Sequence, residues 1–70
     1  MMPLNLAARN EVNTIKKVGG NEETKKHLEN LGFVPGATVK VVNEMSGNVI
    51  VNIKESRVAI SKEMATRILV

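Results

Sequence analysis

The second half of the chain alternates between apolar and polar positions. In Thr38-Val39-Lys40-Val41-Val42-Asn43, Val39 and Val41 fall on one face and Lys40 on the other; past Met45-Ser46-Gly47-Asn48, the residues Val49, Val51 and Ile53 alternate with Ile50, Asn52 and Lys54. Successive side chains of a strand point to opposite faces, so these two runs predict a hairpin turning at Met45–Asn48. A shorter link at Glu55-Ser56 leads into a further strand, Arg57-Val58-Ala59-Ile60. Ser61 is placed to cap a single helical turn through Met64, and residues 66–70 read as a last strand with Ile68 and Val70 inward.

The first half is less regular. From Glu11 to Val18 the apolar residues Val12, Ile15 and Val18 recur every third position, a spacing open to a helix or a bulged strand; the β-branched content and the Gly19-Gly20 stop favour a strand. Asn21-Glu22-Glu23 reads as a helix start, since an Asn side chain caps free amides and carboxylates suit the positive end of the helix dipole. The helix is expected to run to about Leu31, burying Leu28 and Leu31 with Thr24 one turn earlier. Gly32 then supplies a left-handed helix end, which folds Phe33 back onto Leu28. Val34-Pro35-Gly36-Ala37 has the residues of a type II turn. The sum is mainly β: a small antiparallel barrel of about five strands, with one α-helix between the first and second strands, closed by the two ends of the chain.

Seventy residues leave room for one domain, covering 1–70. A core this small supports a stability of only about 3–5 kcal/mol. The chain has no Cys, so no disulfide adds to it. The amino terminus lacks the charged leader and long apolar core of a signal peptide, and no apolar run approaches the ~20 residues that cross a bilayer, so a cytoplasmic protein is expected. Ten Lys and Arg against seven Glu give a mild +3, spread without blocks.

With one His, no Cys and no Asp, neither a Ser-His-Asp nor a Cys-His relay can be assembled, and no glycine pattern matches a phosphate-binding loop; the chain is read as a non-enzyme. Glu23 and His27, four apart on the helix, are suitable ligand types for a divalent metal, but two ligands fall short of the three or four of a specific site, so no metal or cofactor is assigned. Lys25, Lys26 and His27, with Lys16 and Lys17, form a basic surface that is either plain solvated charge or a contact for phosphates or an acidic protein. Phe33 is the single aromatic residue, leaving no stacking platform for bases, which favours protein over nucleic acid as a partner. Met45, at the hairpin tip, either tucks over the barrel end or stands exposed as a flexible apolar contact.

Two segments carry a family resemblance. Leu28-x-x-Leu31-Gly32-Phe33-x-Pro35-Gly36, followed in order by Ala65-x-x-Ile68-x-Val70, resembles the ferrous iron transport protein A (FeoA) family, and the likeness of element order covers nearly the whole chain. There are departures. His27 stands where the family commonly carries Arg before the first Leu, Asn10 where it has Gly in an early turn, and Gly47-Asn48-Val49 where it has a Gly-Asp-Pro-like turn. Asn10 is a mild change, because Asn tolerates left-handed backbone. An imidazole lacks the permanent charge and fork of a guanidinium, so His27 would retune any contact made by the family Arg.

The resemblance implies an SH3-like barrel, without catalysis, that assists the membrane ferrous iron transporter by binding its cytoplasmic G-protein domain. The surface expected to dock is the helix around Lys25, Lys26, His27 and Asn30, with Met45 at the hairpin tip. The barrel is also similar to the regulatory C-terminal domain of iron-dependent repressors, although this chain has no helix-turn-helix. A small-barrel nucleic-acid binder is the other alternative.

Overall fold

The computed structural model describes residues 1–70. A 3₁₀ turn at Leu4–Leu6 precedes β1 (Val12–Thr14), β2 (Lys17–Val18), α1 (Glu22–Asn30), β3 (Thr38–Met45), β4 (Asn48–Ile53), β5 (Ser56–Ser61), α2 (Lys62–Ala65) and β6 (Ile68–Leu69). Strands β1-β3-β4-β5 make a four-stranded antiparallel sheet and β2-β6 a second, two-stranded one. Side chains from both sheets, from α1 and from the Leu4 turn meet in a single core that includes Leu4, Ile15, Leu28, Phe33, Val51 and Ile68.

The expected strand over 11–18 is two strands belonging to different sheets. Val12, Asn13 and Thr14 pair with β3, whereas Lys17 and Val18 pair with β6. Between them the Ile15 amide donates to Ala37 O and the Lys16 amide to Leu69 O, so the backbone changes partner within one residue. That corner explains the three-residue apolar spacing: Ile15 and Val18 are buried, while Val12 faces out at 64% exposure. The strand count accordingly rises to six.

The ends of α1 form as the residues dictate. The Asn21 side chain accepts from the Thr24 amide at 2.8 Å. At the other end Gly32 has φ +103°, its amide donates to Glu29 O and the Phe33 amide to Leu28 O, both at 2.9 Å. This crossed pair of bonds is the Schellman arrangement, and it turns Phe33 back into the core, where only 1% of it remains exposed. Burial of a ring of that size contributes about 2–3 kcal/mol, so a nine-residue helix too short to persist alone is held by its C-terminal apolar residues.

The β3–β4 hairpin turns at Ser46 (φ 47°) and Gly47 (φ 82°), which matches a type I′ turn. β3 runs two residues further than its alternation suggests, to Met45, because a bulge between Val41 and Asn43 resets its register against β4. The β4–β5 hairpin is the surprise. It also has positive φ at both central residues, Lys54 (49°) and Glu55 (64°), neither of which favours that region. Ser61 caps α2 by accepting from the Met64 amide at 3.1 Å. The barrel closes where Met2 and Val70 exchange amide-to-carbonyl bonds, each 2.9 Å, and where β6 lies between this contact and β2. The last strand is shorter than the expected 66–70, but Ile68 and Val70 are both buried, as its alternation requires.

Candidate functional site

The surface chemistry is organised by α1. With Leu28 pointing inward and Thr24 half-buried beside it, a rotation of about 100° per residue sends Lys25 to one flank of the helix and His27 to the other. Lys25 lines a cleft of about 280 Å³ with Lys16, Lys17 and Glu29, floored by Phe33 and Pro35. His27 lines a groove of about 400 Å³ with Glu23, Thr24 and Met64. Lys26 and Asn30 sit on the ridge between the two, exposed. The basic residues expected to form one surface are thus divided between two hollows and a crest.

Glu23 and His27 do share a groove, as their four-residue spacing requires. No group of three or more His, Cys, Asp or Glu side chains comes together anywhere, so this pair gains no third ligand of those types. The groove continues toward the start of α1, where Gly20, Asn21, Ser61, Glu63 and Arg67 surround a polar hollow of about 340 Å³.

Met45 is 59% exposed, which settles the two readings of the hairpin tip in favour of the outward one. It belongs to a different hollow from the helix residues. That hollow, about 580 Å³, lies over the outward side of the four-stranded sheet and is lined by Lys40, Val42, Ile50, Asn52 and Arg57 among others. Nothing in the sequence alone groups these residues. Alternation assigns each to the outward face of its strand, but bringing Lys40, Asn52 and Arg57 into one row needs the pairing register, and that depends on the bulge in β3 and on the Lys54-Glu55 turn, neither of which the residues announce.

One side chain connects the sheet to the helix end. A Cβ placed on Gly32 would lie 3.3 Å from Lys54 Cδ, so the Lys54 stem runs over the last turn of α1. A cation near a helix C-terminus is electrostatically favourable, and methylenes shield apolar surface beneath them. This contact gives Lys54 a structural reason to occupy a turn position that its backbone disfavours.

No helix is long and apolar enough to cross a membrane. The sequence profile described as the FeoA domain matches residues 2–70. Among curated proteins, the Putative Fe(2+) transport protein A of Methanocaldococcus jannaschii is 31% identical over 70 residues, which span 100% of this chain and 85% of that one. Among solved structures, the crystal structure of an iron uptake regulatory protein (FeoA) superposes with a TM-score of 0.87 at 28% identity, covering 96% of this chain and 89% of that one. The zinc complex of FeoA from Stenotrophomonas maltophilia, described as an SH3 domain protein, superposes with a TM-score of 0.85 at 23% identity, covering 99% and 88%; that likeness identifies the barrel as SH3-like.

Proposed function

The chain belongs to the FeoA domain family, and from that premise we propose that it serves ferrous iron transport as a non-enzymatic accessory which binds the cytoplasmic G-protein domain of the membrane ferrous iron transporter. The observation that carries the reading is the extent of the family match, residues 2–70, which takes in every strand and both helices. The naming of the Methanocaldococcus jannaschii relative for Fe(2+) transport supports the iron assignment. The residue inventory supports binding over catalysis: one His and no Asp or Cys supply no relay, whereas exposed cations and an exposed Met supply contacts. The protein is proposed to act on the cytoplasmic side, where that domain lies.

The contacts proposed are Lys25, Lys26, His27 and Asn30 of α1 together with Met45. Lys26 and Asn30 crown the helix, and Met45 offers an apolar anchor of the kind that interfaces enrich. Since the helix residues and Met45 share no hollow, a partner that uses both must extend around the barrel.

Titration of isotope-labelled protein with the isolated G-protein domain, at low and moderate salt, tests the proposal. Amide shifts confined to α1 and the Met45 hairpin are expected. Lys25→Glu and Lys26→Glu should each weaken binding several-fold, more at low salt than at moderate salt. Absence of shifts at high partner concentration would reject this partner, and binding that ignores both charge reversals would reject this surface.

A further inference from the structure

We propose that the outward face of the four-stranded sheet takes an acidic, partly apolar peptide segment of a protein partner, whose carboxylates are held by Lys40 and Arg57. The inference rests on reading the chain as a binding protein, and on nothing about which transporter it serves.

The face is assembled by register. Arg57 of β5 stands opposite Asn52 of β4, Asn52 opposite Lys40 of β3, and Lys40 opposite Val12 of β1, so two cations and an amide form a row across three strands. Neighbouring strands are about 4.8 Å apart, which sets Lys40 and Arg57 about 10 Å from each other. Beside the row lie Val42 and Ile50, half-buried, and Met45, exposed, in the groove of about 580 Å³ whose lining contains no carboxylate. None of the side-chain hydrogen bonds within the molecule involves Lys40, Asn52 or Arg57, although Glu55 lines a neighbouring hollow with Lys40 and Asn52. An apolar centre bordered by unengaged polar groups is the anatomy of a protein-binding patch.

Charge and shape together specify the occupant. The guanidinium of Arg57 offers a fork that fits a carboxylate, and the ammonium of Lys40 offers a second positive point. An extended peptide advances about 3.3 Å per residue and alternates its side chains between two faces, so two acidic side chains four positions apart share a face about 13 Å from each other, within reach of the long Lys40 and Arg57 side chains, with an aliphatic residue midway on the same face to meet Val42 and Ile50. Asn52, midway in the row, can both donate to and accept from the backbone of such a segment. A nucleic acid would use the same cations, but the face has no ring to stack a base: the single aromatic residue, Phe33, is 1% exposed.

The probe is an acetylated, amidated peptide containing Glu-Ser-Leu-Ser-Glu between glycines, with a Gln-Ser-Leu-Ser-Gln version as control, each titrated into isotope-labelled protein at low and at moderate salt. The result expected is amide shifts at Lys40, Val42, Ile50, Asn52 and Arg57 with the Glu peptide. Binding should weaken about tenfold in Lys40→Glu and in Arg57→Glu, and be unchanged in Lys25→Glu, which alters the helix surface instead. Arg57 is exposed, so Arg57→Gln provides a second variant should a reversal disturb folding, which thermal unfolding reports. The proposal is overturned by absence of shifts at millimolar Glu peptide, by equal binding of the Gln peptide, by shifts confined to α1, or by an oligouridylate that occupies the sheet face more tightly than the Glu peptide. None of these outcomes depends on the G-protein domain, so the two readings fail separately.

Discussion

Replacing Gly32 with Ala tests how strongly the helix end is determined by backbone conformation. Gly32 has φ +103°, where an L side chain is strained; left-handed backbone costs a non-glycine residue about 1–2 kcal/mol. Against this, Ala reduces the entropy of the unfolded chain, a gain of about 0.4–1 kcal/mol. The new Cβ would also sit 3.3 Å from Lys54 Cδ, and displacing that exposed, flexible stem costs some of its packing. The net loss is about 0.5–1.5 kcal/mol in a domain whose whole stability is about 3–5 kcal/mol, so Tm should fall by about 3–12 °C. Urea and thermal unfolding of Gly32→Ala, Lys54→Ala and the double variant measure it. If the methyl group and the Lys54 stem compete for space, the double variant loses less than the sum of the single changes. A loss under about 0.5 kcal/mol in Gly32→Ala, at unchanged m value, would refute the claim that a glycine-specific turn holds Phe33 in the core.

Two further outcomes follow from the same structure. Glu55→Gly should raise stability by about 0.5–1 kcal/mol, because it relieves the positive φ of a type I′ turn at the position where glycine is preferred; chemical denaturation of a destabilised variant would contradict the turn assignment. Removal of Ile68-Leu69-Val70 takes away two buried side chains and the partners of β2 and Met2, a loss of several kcal/mol that exceeds the total, so circular dichroism should find the shortened chain unfolded; a cooperative melt would refute barrel closure.

Features decided within a few residues were legible in the sequence. Asn21 and Gly32 mark the ends of α1, Ser46-Gly47 marks a tight hairpin, and Asn10, standing where the resembling family has Gly, does adopt left-handed backbone at φ 64°. Features decided by distant partners were not. Residues 11–18 read as one strand because nothing local records that β1 faces β3 while β2 faces β6, and the extension of β3 depends on a bulge. The Lys54-Glu55 turn was hidden for a related reason: its chemistry is unfavourable locally and is supported by the Lys54 stem over Gly32, far away in sequence. The site divides in the same way. Helical spacing pairs Glu23 with His27 in one groove, yet the nearness of Lys25 and His27 in sequence conceals the rotation that sends them to opposite flanks. The row of Lys40, Asn52 and Arg57 exists only once register is known.

The reciprocal hydrogen bonds between Met2 and Val70 also govern the order in which the protein can assemble. The β3-β4-β5 meander is made of neighbours in sequence and can form as soon as its strands leave the ribosome, whereas β2 has no partner until β6 arrives. Loop closure over nearly the full length must precede that pairing, and such long-range contacts slow folding. Until β6 emerges, β2 therefore lacks its hydrogen-bonding partner and the core lacks Ile68 and Val70. Closure is then a late event, so substitutions at Ile68 should accelerate unfolding far more than they retard folding, a chevron with one displaced arm.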